Sequence, residues 1–156
     1  MHQESVESGH YIFPLYINDV IEVRMFDPVS QDLWPELATV FRERKVKMPL
    51  IFCDPKYQID ALYYLLCRKY QVPAPAGNVY NIPLTREIIK NIEPDILVSD
   101  LEHVEVLLQN LTKNNIEQTI RTIFLFSYKQ NPEFFKRLQV TYPTYDFIFS
   151  IHPLLW

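Results

Sequence analysis

The chain predicts a three-layer, doubly wound α/β fold, with a mostly parallel five-stranded sheet behind an N-terminal β-hairpin and helix. Three observations carry that expectation. Five short strand-like runs recur along residues 48–151, most of them apolar on both faces, as strands of a covered parallel sheet must be. Segments with helical spacing of apolar residues separate them. The 156 residues are 48% hydrophobic and 14% aromatic, enough to bury one substantial core.

In chain order, MHQESVESGH (1–10) is polar and is expected to be a flexible start. YIFPLYI (11–17) and VIEVRMF (20–26) flank Asn18-Asp19, a two-residue turn, and so predict a hairpin. Ile21, Val23 and Met25 alternate with polar residues, while Pro14 suits an edge. Asp32 is the expected N-cap of a helix running to Arg44, with Leu33, Leu37, Val40 and Phe41 on its apolar face and Pro35 in its first turn. MPLIFC (48–53) then opens the regular part. Ile59, Leu62, Tyr63, Leu66 and Tyr70 mark a helix that ends before PAPAGN. NVYNI (78–82) reads as the second strand, Thr85 to Ile92 as a short helix stopped by Pro94, and DILVS (95–99) as the third strand. Leu101, Val104, Leu108 and Leu111 stripe the next helix. TIFLFS (122–127) is the fourth strand, Asn131-Pro132-Glu133 a capped helix start, and YDFIFSI (145–151) the fifth strand. Right-handed crossovers then give a Rossmann or flavodoxin-like layout. Residues 11–156 are expected to form one domain, with 11–47 as hairpin and helix and 48–156 as the parallel core.

Composition narrows the function. The net charge is −4 with the signs mixed, which argues against a nucleic-acid partner. No apolar run is long enough to span a bilayer, no secretory leader is visible, and Cys53 and Cys67 are the sole thiols. A cytoplasmic protein without disulfides or membrane contact is expected. Two glycines stand against twelve prolines. With Gly9 and Gly77 alone, no glycine-rich phosphate loop can be written, and no cofactor is expected.

In a doubly wound sheet, ligands sit beyond the carboxyl ends of the strands. That rule selects Cys53-Asp54, Ser99-Asp100, Ser127-Tyr128-Lys129 and Ser150-Ile151-His152 as ligand-binding candidates, with Asp54, Asp100 and His152 as candidate catalytic groups. A structural reading competes at each place. Ser99-Asp100-Leu101-Glu102 fits a capping box, with Ser99 as the cap and Asp100 in the first turn. Cys53 in CDPKYQID has no neighbouring arginine or histidine and reads as an inert, half-buried thiol. His103 is expected on the polar side of its helix, next to solvent. The four histidines and two thiols lack metal-ligand spacing, so no metal site is expected. The aromatic last strand and its PLLW tail (153–156) suggest a protein partner or a second copy, contacted through Tyr145, Phe147, Phe149 and Trp156.

Residues 32–152 resemble part of the large N-terminal domain of adenylate-forming enzymes, of the acyl-CoA synthetase and phenylacetate-CoA ligase type. DLWPELATVF, AGNVYNIP, EPDILVSDLEHVEVLL and IRTIFLFSYKQNPEFFKRLQVTYPTYDFIFSIH follow that domain's order of elements. The signature motifs differ. SYKQ (127–130) stands where the family has glycines over the adenine, and SIHPL (150–154) replaces its adenine-binding tyrosine and magnesium-binding glutamate. The phosphate loop and lid lysine have no counterpart. The resemblance therefore implies a reduced, AMP-binding-like relative that binds or assembles without catalysis. A second resemblance is to response-regulator receivers, with Cys53-Asp54, Asp100, Ser127 and His152-Pro153 in the places of their acidic, phospho-accepting, hydroxyl and lysine positions. It implies a phospho-switch, or a small-molecule enzyme built on Asp54, Asp100, Ser127 and His152.

Overall fold

The computed structural model describes residues 11–17, 20–26, 34–117 and 119–151. Strands β1 (Tyr11–Ile17) and β2 (Val20–Phe26) pair antiparallel with Ile17 opposite Val20, the register a two-residue connection requires. The Asn18-Asp19 turn itself, the Asp32 cap and the tail after Ile151 lie outside the described residues. The hairpin forms its own two-stranded sheet.

The main sheet is parallel, in the order β3 (Pro49–Phe52), β4 (Ile96–Asp100), β5 (Thr122–Ser127) and β6 (Asp146–Ile151). Among the described residues five α-helices accompany it: α1 (Pro35–Arg44), α2 (Asp60–Lys69), α3 (Ile82–Ile92), α4 (Val104–Lys113) and α5 (Pro132–Thr141). Strand alternation divides the core in two. Ile51, Ile96, Val98, Phe124 and Phe126 face Leu37, Phe41, Leu62 and Leu66 of α1 and α2. Leu50, Phe52, Leu97, Ile123, Leu125 and Phe147 face Ile89, Leu107, Leu108 and Leu138 of α3, α4 and α5.

The predicted second strand, NVYNI, does not form, so among the described residues the main sheet has four strands where five were expected. Asn78–Asn81 forms a turn in place of NVYNI, leaving one isolated parallel bridge between Ile51 and Ala76. Asparagine chemistry explains the difference. The Asn78 carboxamide accepts the Tyr80 N–H at 2.8 Å, and that of Asn81 accepts the Leu84 N–H at 3.1 Å, capping α3. Such local bonds compete with a strand ladder, and Pro83 suits the first helical turn. Ala76 still lies on the outer side of β3, so the chain crosses β3 in passing on to β4. Helix α1 starts at Pro35 with Trp34 in the N-cap place and no side-chain cap bond. The cap at Asn131 and the helix end at Ile92 fall where expected, while α3 begins at Ile82, ahead of the expected Thr85. Among the described residues no helix is long and apolar enough to cross a membrane.

Candidate functional site

The carboxyl ends of β3 and β4 are adjacent, and the path of the chain reverses between them. Asp100 closes β4 with its side chain fully buried. Its Oδ2 accepts the Asp54 N–H at 2.8 Å, joining the ends of the two strands. Its Oδ1 accepts the His103 backbone N–H at 2.8 Å and lies 2.8 Å from His103 Nδ1. A hydrogen on Nδ1 lets the ring donate to this carboxylate. Nε2 sits 4.0 Å from Asp54 Oδ2.

Asp54 caps the short 3₁₀ turn Pro55–Tyr57 by accepting the Lys56 N–H at 2.9 Å, and its Oδ2 accepts the Tyr80 hydroxyl at 2.9 Å. The Lys56 N–H foremost, then the Tyr80 hydroxyl, hold the Asp54 carboxyl below its ordinary range against the opposing effect of burial. Glu102 takes Lys56 Nζ at 2.8 Å and the Tyr57 hydroxyl at 2.5 Å, and these two donors lower its pKa. Tyr57 is buried and stacks on Tyr128 at 4.9 Å between centroids. Burial, and next to it the Glu102 bond, push the Tyr57 hydroxyl up. A cleft of about 290 Å³ opens beside this network, lined by Cys53, Asp60, Gly77, Asn78 and Tyr80 among others.

Several expectations change here. The capping box does not form. Ser99 donates to the Asp100 carbonyl at 3.1 Å, His103 occupies the N-cap place of α4, and Glu102 turns to Lys56 and Tyr57. Asp100 stays in the strand because its carboxylate binds the backbone of both neighbouring segments. His103 is half-buried against Asp100 and does not simply face solvent. Cys53 fits the inert reading, since burial first and the carboxylates of Asp60, Asp100 and Asp54 next push its thiol up. Ser127 accepts only a long 3.4 Å bond from the Lys129 N–H, and Lys129 is exposed. Ser150 donates to the Ile151 carbonyl at 3.0 Å on β6, two strands from Asp100. His152 lies outside the described residues. Thus Cys53, Asp54, Ser99 and Asp100 come together at one place, Tyr128 touches its border through Tyr57, and Ser150 is elsewhere. Sequence reasoning missed Lys56, Tyr57, Tyr80, Glu102 and His103. The Asp100-x-x-His103 spacing across a strand-to-helix junction was the available signal for the last.

No family model and no curated protein matches the chain. Solved structures do. The A-PCP didomain of carboxylic acid reductase from Segniliparus rugosus, in complex with AMP, superposes with a TM-score of 0.58 at 8% identity, over 92% of this chain and 22% of that one. The A domain of carboxylic acid reductase from the same organism, in complex with AMP and a co-purified carboxylic acid, gives a TM-score of 0.56 at 8% identity, over 92% and 25%. The fold is therefore similar to a portion of an adenylate-forming enzyme. The chain spans about a quarter of the length of these proteins.

Proposed function

We propose that this chain is a non-catalytic binding module, a reduced relative of the adenylate-forming core, whose small-molecule ligand enters the cleft beside β3. One observation carries the reading. The carboxylates that a strand-end catalyst would use are occupied by donors of the chain itself, while the adjoining cleft is open. Asp100 has both oxygens engaged and no exposure, which disfavours it as a phospho-acceptor as well. The thiol nearest the cleft is held protonated, so it supplies no nucleophile. The network then acts as a frame in which Asp54 holds the hydroxyl of Tyr80, a residue of the cleft wall.

A fragment library of small polar aromatics, followed by amide chemical shifts, tests the reading. Shifts are expected at Cys53, Asp60, Asn78 and Tyr80, and Tyr80→Ala should reduce them at least tenfold at a fixed fragment concentration. Fragments that leave these residues unmoved, or collect at the Lys90 and Arg121 groove near the other end of the strands, would refute it.

A further inference from the structure

We infer that β6 is a homodimer edge, on which a second copy adds its own β6 antiparallel to form a continuous eight-stranded sheet. The two edges of the main sheet differ. The outer edge of β3 is covered, because Ile51 donates its N–H to the Pro75 carbonyl at 3.2 Å and accepts the Gly77 N–H at 2.7 Å. The outer edge of β6 has no such cover among the described residues. Its six residues, DFIFSI, include no lysine, proline or glycine, and they pair with β5 in an unbroken register without a bulge. Lysine, proline and a bulge are common devices that blunt an exposed edge, and β6 has none of these three; its single charge, Asp146, sits at one end.

The geometry also says which groups are on offer. The Asp146 N–H bonds the Arg121 carbonyl and so points towards β5. Alternation along the strand then directs the N–H and C=O of Phe147, Phe149 and Ile151 to the outer side. An antiparallel twin about a twofold axis at Phe149 sets Phe147 opposite Ile151 and Phe149 opposite its own copy, matching outward groups with outward groups. The same arrangement separates the like charges. Asp146, the one charged residue of the strand, falls at opposite ends of the two copies, where Arg44 already pairs with it. A parallel partner would bring the aspartates to the same end. A twofold interface of this kind closes on itself and stops at two copies.

Sedimentation equilibrium of the full chain over a hundredfold concentration range tests the proposal, together with hydrogen exchange at both extremes. A concentration-dependent dimer is expected. The amides of Phe147, Phe149 and Ile151 should become protected at high concentration only, while those of Asp146, Ile148 and Ser150 are protected throughout. Ile151→Pro removes an outward donor and keeps the inward ladder, so it should raise the dissociation constant at least tenfold with unchanged circular dichroism. A monomer at every concentration overturns the proposal. So does a dimer in which the three outward amides exchange as fast as in the monomer, a readout that needs no variant to fold.

Discussion

Asp100 shows how far one side chain can exceed its place in the sequence. At the first turn of a helix, an aspartate would contribute at most about 1 kcal/mol through the helix dipole. Buried at the end of β4, it accepts from Asp54 and twice from His103. Asp100→Ala leaves those donors unsatisfied, and bonds to a charged group are worth about 1.5–3 kcal/mol each. The loss should therefore reach about 3 kcal/mol or more, similar to the roughly 2–5 kcal/mol expected for Leu108→Ala in the core. Urea titration of the two variants compares them, and a loss under about 1 kcal/mol for Asp100→Ala would show that the network is redundant. The pH dependence belongs here too. Asp54 and Glu102 have pKa values lowered by folding. Their stabilisation is present above the unfolded carboxylate range, near pH 4, and is lost as pH falls through the lower folded values. Stability should decline on acidification below about pH 4. In the Asp54→Asn, Glu102→Gln double variant the decline should be shallower, as read from denaturation midpoints between pH 2 and 6.

At the scale of elements, the scarcity of glycine leaves a clear trace. Lys45, Gln58, Gln71, Glu93 and Asn115 all adopt left-handed backbone conformations with φ between 49° and 55°, at the ends of helices and turns. Glycine commonly takes that position because a side chain there is strained. Glu93→Gly should therefore stabilise the chain by about 0.5 kcal/mol, the relief of strain exceeding the added freedom of the unfolded chain. Gly77 is the opposite case. A Cβ there would stand 2.8 Å from Thr85 Cγ2 and 3.2 Å from a Phe52 ring carbon. Gly77→Ala should cost about 1–3 kcal/mol by overpacking, and it should disturb the bond that covers the β3 edge. Thermal midpoints of the two variants, moving in opposite directions, check both expectations.

For the molecule as a whole, likeness of fold comes with little likeness of sequence. The chain superposes over 92% of its length on proteins solved with AMP, yet at 8% identity. It lacks the glycines that a phosphate-wrapping loop needs. The purified chain should accordingly catalyse no ATP–pyrophosphate exchange with a panel of carboxylic acids. Exchange above a heat-killed control would restore an adenylating role and displace the binding-module reading.

Periodicity by itself determined most of the architecture. Among the described residues, the hairpin, four parallel strands, five helices, the cap at Asn131 and the helix end at Ile92 follow from patterns a few residues long, since burying one face of a helix or two faces of a strand is a local requirement. The failure at residues 78–82 was also local, because Asn78 and Asn81 bond their own backbone and prevail over a weak apolar pattern. The site was legible only as a place, the carboxyl ends of the strands. Its working contacts join Asp54 to Asp100 and Lys56 to Glu102, pairs 46 residues apart that no local pattern couples. Tertiary structure alone decided them. Folding sets β3 beside β4, removes Asp100 from water, and makes a buried carboxylate satisfy whichever donors the neighbouring strand and helix bring within reach.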